Sequence, residues 1–212
     1  MRGQFITFEG GEGSGKSTQL ALLADDLAKR GYSLVRTREP GGTKLADRIR
    51  ALILEKPDGE GPGAFPMDPK AELFLYLASR AQHMAEVIRP ALAAGKIVLC
   101  DRFTDATLAY QGAGRGLPKS EIEAMARFAS QGLGPDLTFL LQMDVKKALV
   151  RLTARGETNR LDEEQLQFHE AVQRGYAELA QANPKRIVVI DADAAVEAVA
   201  AKIRERTDAF FS

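Results

Sequence analysis

The stretch Gly10-Gly11-Glu12-Gly13-Ser14-Gly15-Lys16-Ser17 constrains this chain more than any other, because of what flanks it. It matches G-x-x-x-x-G-K-[ST], follows the strand-like run QFITFE (4–9) and opens a helical pattern. In that pattern Leu20, Leu23, Ala24 and Leu27 share one face, and Gly31 can close the helix. A Gly-rich turn that merely opens a helix is the plain alternative, but strand, loop and helix in this order are the context the motif requires. Glycines let successive N–H groups face one concavity, and the helix N-terminus adds potential favourable to phosphate. Gly10, Gly11, Glu12, Gly13, Ser14, Gly15, Lys16, Ser17 and Thr18 thus read as a nucleoside-triphosphate cradle. Lys16 would bridge the β- and γ-phosphates, and the Ser17 hydroxyl would ligate magnesium. One member is out of place: Glu12 puts a carboxylate inside an anion site.

Four further apolar, β-rich runs follow the first, at 32–37, 96–100, 137–143 and 186–190, each bounded by Gly, Pro or charge. Helical patterns separate them. One helix starts at Asp68-Pro69, an N-cap with proline at the first helical position, and runs to Gly95 with a kink or division at Pro90. The Gly/Pro-rich segment 55–69 reads as a mobile surface loop. Alternating strands and helices, with strands apolar throughout, predict an α/β fold of three layers, helices covering both faces of a five-stranded parallel sheet. Residues 1–212 read as one domain, with no internal repeat or long linker.

Lys plus Arg and Asp plus Glu both number 29, so the net charge is zero and a polyanion-binding surface is not expected. No nucleic-acid partner is therefore inferred. The single cysteine, Cys100, excludes an internal disulfide and suits a reducing compartment. Apolar runs such as KIVLC and LTFLL are strand-length, not bilayer-length, and QFITFE is too short for a signal peptide. A cytoplasmic protein with no membrane partner is the expectation.

Asp101 closes the run KIVLC, at the carboxyl end of a strand, where it can support a magnesium shell directly or through water. Arg102 follows it, suggesting metal on one side and phosphate on the other. Three classes share such a loop. A guanine-reading switch needs Asn-Lys-x-Asp after a strand, and the nearest segment, Asn159-Arg160-Leu161-Asp162, has the wrong second residue and no strand before it. A motor would need a larger chain or a partner surface. A small phosphotransferase needs a second anion site and a means of excluding water. Arg151 and Arg155, four apart on one helix face ahead of Gly156, and Arg160 beyond them fit a lid over about 151–162. Charge alone leaves that lid and a solvated basic helix face equally open.

The motifs FEGGEGSGKST (8–18), TREPGGT (37–43), SRAQH (79–83), DRF (101–103), AYQGAGRG (109–116), PDLTFLLQMD (135–144) and RGETNRLD (155–162) occur in an order that closely resembles the thymidylate kinase family. The resemblance spans nearly the whole chain. It implies a P-loop NTPase fold with a short mobile lid, ATP and magnesium, γ-phosphoryl transfer to dTMP, and a homodimer. It places Glu39 and Arg50 in the monophosphate pocket and Arg102 beside the acceptor phosphate. Tyr76 would stack on thymine, Arg80 would bond the base edge, Thr107 and Gln111 would complete the base contacts, and Tyr110 would crowd the ribose 2′ position. Lys16, Glu12, Arg102, Arg151, Arg155 and Arg160 become the catalytic set, with Ser17 and Asp101 toward the metal.

Periodicity by itself treats Tyr76 as a core residue, although it and Arg80 are helical i, i+4 neighbours. Four positions depart from the family's usual residues: Tyr76, Phe103, Asn159 and Asp162. His83, His169 and Cys100 lack metal-ligand spacing and read as structural. In the resembling family an acid at the position of Glu12 accompanies arginines carried in the lid, and it would hold either magnesium-bound water or an arginine bridging donor and acceptor.

Overall fold

A computed structural model describes residues 2–55, 67–154, 159–162 and 164–212. Five parallel strands, β1 (Phe5–Glu9), β2 (Leu34–Arg38), β3 (Ile97–Asp101), β4 (Leu137–Gln142) and β5 (Ile187–Asp191), lie in the order β2-β3-β1-β4-β5. Phe5 is paired in register with Val98, and Ile6 with Leu137, so β1 sits centrally between β3 and β4. This is the sheet expected from the five apolar runs. β2, β3 and β5 each begin and end one or more residues later than the runs suggested, and β4 stops one residue sooner.

The strands are apolar on both sides because both sides are covered. Ile6 and Phe8 pack with Leu20, Leu23 and Leu27 of α1 (Lys16–Lys29) and with Val199 and Ile203 of α9 (Val196–Phe211). Phe5, Val98 and Cys100 face the other way, onto Met84, Ile88 and Leu92. Leu140 and Ile187 meet Val172, Tyr176 and Leu179 of α8 (Leu166–Ala182) on that side. Burial on this scale, at about 25 cal/mol per Å² of apolar surface, is what holds the layers together.

Asp68 caps α3 (Pro69–His83) as expected, accepting from the Lys70 amide at 2.8 Å. The proline effect takes a different form from a clean division. The helix widens into a π-helical turn over Met84–Ile88 and resumes as α4 (Arg89–Ala93). Pro90 has no N–H to offer the preceding turn, so the chain redistributes its carbonyls just before it. A second π-helical stretch, Leu108–Gly114, continues the short α5 (Thr104–Thr107) and packs on α8. The remaining helices are α2 (Lys44–Leu54), α6 (Lys119–Ala129) and α7 (Val145–Thr153). The loop expected over 55–69 and the lid expected over 151–162 fall partly on residues outside those described, among them Arg155 and Gly156. Among the described residues no helix is long and apolar enough to cross a membrane.

Candidate active site

The parallel sheet brings the carboxyl ends of β1, β2 and β3 to one edge, and a cleft of about 300 Å³ opens there. Its floor is the loop between β1 and α1. Gly13 and Gly15 take positive φ of 73° and 90°, the conformation that aims the loop amides inward. A Cβ on Gly13 would come within 2.2 Å of the Ala148 carbonyl, so α7 packs directly on the loop. Lys16 is buried and its Nζ donates to the Gly11 carbonyl at 2.7 Å. Burial, then the nearby Arg102 charge, pulls the Lys16 ammonium below its ordinary pKa. Ser17 Oγ donates to Asp101 Oδ2 at 2.6 Å, which joins the two residues expected at the metal. Gly10, Gly11 and Ser14 of the same loop line a second cavity against Ala148 and Val172, and Thr18 is exposed on the first turn of α1.

Arg102 leaves β3 with φ of 69°, unusual for a residue bearing a side chain. That turn sends its guanidinium back across the loop. Nη1 donates to the Gly10 carbonyl and to Tyr176 Oη, both at 3.1 Å. Nη2 donates to Glu12 Oε1 at 2.5 Å and to Tyr110 Oη at 2.9 Å, and the guanidinium lies 4.8 Å from the Tyr110 ring centre. Glu12 thus pairs with an arginine, which is compatible with one of the two roles left open for it. Burial pushes the Glu12 carboxyl up, but the charges of Arg102 and Lys16 and hydrogen bonds from Tyr110 and Arg102 outweigh it and bring it down to about 2.

Beyond Arg102 the cleft continues to Arg38 and Arg50. Arg50 Nη1 donates to the Pro40 carbonyl at 3.0 Å, and burial, followed by repulsion from Arg38, lowers its pKa. Three guanidiniums around one space suit an anionic ligand. Arg38 was not singled out in the sequence, although its place in TREPGGT, at the end of β2, is the available signal.

The far end is polar and fully formed. Glu39 is buried, its Oε2 accepting from Arg80 Nε at 2.8 Å and its Oε1 lying 3.0 Å from His83 Nδ1. Arg80 Nη2 donates to Thr107 Oγ1 at 2.8 Å and to the Phe103 carbonyl at 3.1 Å. Its Nη1 is buried with no partner among the described residues. Tyr76 is half-buried in the wall of the cleft, not enclosed in the core as periodicity alone suggests. Tyr110 and Gln111 complete the wall. Glu72, one turn before Tyr76 on α3, is a buried carboxylate that the sequence reading missed; the stripe 72, 76, 80 was its only signal.

Asn159 and Leu161 close one side of the cleft. Asn159 Nδ2 donates to Asp162 Oδ2 at 2.5 Å, and Asn159 Oδ1 accepts from the Leu161 amide, so this look-alike of a guanine reader bonds largely to itself, while Asp162 Oδ1 is buried with no partner among the described residues. Arg160 does not line the cleft: its Nη2 pairs with Glu72 at 2.6 Å and its Nε donates to the Ile53 carbonyl. Arg151 is exposed and lies beside the Ala192 carbonyl and Asp193, away from Glu12 and Lys16 in its contacts. The structure thus brings the loop, Asp101, Arg102 and the acceptor-side residues together, and leaves the two described lid arginines outside.

A phosphate loop at one end of a cleft, an arginine cluster in its middle and a polar pocket at the other end define a P-loop phosphotransferase acting on a small anionic acceptor. The thymidylate kinase family model matches residues 8–203. A thymidylate kinase of Gloeobacter violaceus is 51% identical over 210 residues, covering 98% of this chain and 96% of that one. Another, from Chromohalobacter salexigens, is 52% identical over 202 residues, covering 95% and 93%. The crystal structure of thymidylate kinase from Ehrlichia chaffeensis superposes with a TM-score of 0.78 at 32% identity, covering 98% of this chain and all of that one. The chain belongs to the thymidylate kinase family.

Proposed function

We propose that the cleft transfers the γ-phosphoryl group of ATP to dTMP, giving ADP and dTDP, with the triphosphate on the loop and thymine against Tyr76. The observation that supports this reading best is the continuity of one cleft from Lys16 to Arg80, whose Nη1 has no partner among the described residues. A phosphate oxygen of dTMP attacks the γ-phosphorus, and the bond from that phosphorus to the β–γ bridging oxygen breaks. The acceptor oxygen is already anionic near neutral pH, so no strong base is needed. Catalysis then consists of positioning and charge stabilisation.

Lys16 and the loop amides hold the β- and γ-phosphates. Arg102, fixed by Glu12 and Tyr110, spans toward the acceptor phosphate, with Arg50 and Glu39 bordering the monophosphate pocket. Tyr76 supplies the stacking face. Arg80, with Thr107 and Gln111, meets the base edge, and Tyr110 borders the ribose. The Ser17 hydroxyl and Asp101 carboxylate form a hard oxygen pair that fits magnesium, which takes few protein ligands when it binds phosphate. Among the described residues no cluster of three or more His, Cys, Asp or Glu offers a denser metal site. Bound there, magnesium would neutralise developing charge on the phosphates.

A lid role for Arg151 and Arg155 belongs to this proposal and requires Arg151 to leave its present partners; Arg160 can share it only by releasing Glu72. A homodimer in the cytoplasm completes it; exposed Leu45, Leu52 and Phe74 on the neighbouring helices α2 and α3 support an association surface. Measurement of ADP release across a panel of nucleoside monophosphates tests the assignment. Strong stimulation by dTMP is expected. Stimulation by another acceptor, or hydrolysis with none, would overturn it.

A further inference from the structure

Glu72 does not line the cleft, and its side chain is sealed from solvent. Its Oε1 accepts from Gln111 Nε2 at 2.8 Å and from Arg115 Nε at 3.2 Å. Its Oε2 accepts from Arg115 Nη2 at 3.1 Å and from Arg160 Nη2 at 2.6 Å. Burial raises the carboxyl's pKa, but hydrogen bonds from Arg115 and Gln111 and the charge of Arg115 outweigh it and hold it below the usual range. Glu72 is therefore ionised, and an ionised carboxylate can only accept hydrogen bonds.

That settles the orientation of the Gln111 amide. Turning its carbonyl toward Glu72 would set acceptor against acceptor next to a buried charge, which low polarity makes costly. The NH₂ group faces Glu72, and Oε1 is left to the cleft, accepting from no other described residue. Arg80 Nη1 is the matching donor, without a partner among the described residues. The base end of the cleft thus presents one fixed donor and one fixed acceptor. Thymine offers the complement, an O4 acceptor beside an N3–H donor. Cytosine offers the reverse, an N4 amino donor beside an N3 acceptor.

We propose that Glu72 is a positioning residue that sets base discrimination by locking the Gln111 amide, without touching the nucleotide. This rests on the reading of the cleft as a dTMP site. With Glu72 replaced by glutamine, position 72 can offer either a carbonyl or an amide, and Gln111 becomes free to turn its NH₂ group toward the base.

The test compares kcat/KM for dTMP and dCMP in the wild type, Glu72→Gln and Glu72→Asp, with thermal melts to check folding. The ratio of the two is expected to fall about 3- to 10-fold in Glu72→Gln, the range of one neutral hydrogen bond. Glu72→Asp keeps the charge for Arg115 and Arg160 but withdraws it from Gln111, so it should lose part of the discrimination; it also carries the test should the glutamine variant fail to fold. A purely structural role would lower both substrates alike and leave the ratio unchanged. A wild-type ratio retained in the folded variants overturns this proposal alone. A wild type without preference for dTMP overturns the dTMP reading, and this inference with it.

Discussion

Arg102 Nη2 and Glu12 Oε1 lie 2.5 Å apart, so the acid in the phosphate loop holds an arginine that arrives from the end of β3. Charge-assisted contacts this close fix orientation as well as charge. Glu12→Gln should leave the fold intact and lower kcat at least about 10-fold, because Arg102 loses its charged anchor beside the reacting phosphates. The dependence on magnesium concentration should stay the same; a shifted dependence would point to metal-bound water instead. The carboxyl is depressed to about 2 from 4.5, so its stabilising contribution is complete above about pH 4.5 and is lost as pH falls toward 2. The stability gap between wild type and Glu12→Gln should follow that window in acid titrations.

Lysine cannot replace Arg102. Both terminal nitrogens are used, one for Gly10 and Tyr176 and the other for Glu12 and Tyr110, a planar fork that an ammonium on a flexible stem does not reproduce. Arg102→Lys should lose at least about 10-fold in kcat/KM for the acceptor. Near wild-type kinetics would show that charge alone suffices.

Glu9 behaves in the opposite sense. It is fully buried, accepting from the Phe103 amide at 2.7 Å and from Tyr176 Oη at 2.8 Å. Burial, then repulsion from Asp105, lifts its carboxyl to about 7, against the pull of Arg102. A raised carboxyl favours the neutral form in the folded state, so its contribution is present below about pH 4.5 and is lost as pH rises through about 7. Relative to Glu9→Gln, the wild type should lose roughly 1 kcal/mol or more between pH 4.5 and 8, a fall in Tm of about 3 °C. Parallel melts of the two proteins measure it; a gap that does not change with pH would show that Glu9 is ionised throughout.

What was legible in the chain was local. The phosphate loop, the α3 cap at Asp68 and five apolar runs follow from nearest-neighbour chemistry, and each appears where it should. Strand ends shifted because pairing register, not the extent of an apolar run, sets where a ladder stops: Arg38 and Asp101 pair at the end of β2 and β3 although neither is apolar. The site was legible only where a motif carried it. Glu12 meets a partner 90 positions away, and Glu72 is held by groups at 111, 115 and 160, so neither pairing has a signature in spacing. Tyr76 shows the limit of periodicity, since the stripe that marks a buried face cannot tell a core from the wall of a cleft.

Lys16→Met should abolish transfer, by about 10³-fold or more, while melting as the wild type does. Its Nζ contacts only the Gly11 carbonyl and the Ser14 hydroxyl among the described residues, so the fold gains little from it. Retained turnover would remove the loop from the chemistry.

Arg160 separates two accounts of the lid. Its guanidinium is held by Glu72 and the Ile53 carbonyl at the acceptor end of the cleft, and Glu72 also holds Gln111. If that arrangement persists during turnover, Arg160→Ala chiefly raises KM for dTMP, because the wall of the base pocket loosens while the phosphates keep Lys16 and Arg102. If instead Arg160 swings onto the triphosphate as the lid closes, the substitution lowers kcat and leaves KM nearly unchanged. The buried, charge-paired contact with Glu72 favours the first outcome, since leaving it takes one of three donor residues from an ionised carboxylate sealed from solvent. Steady-state kinetics with dTMP varied at saturating ATP distinguish them. A kcat effect with no change in KM would show that the Glu72 contact is released during each turnover.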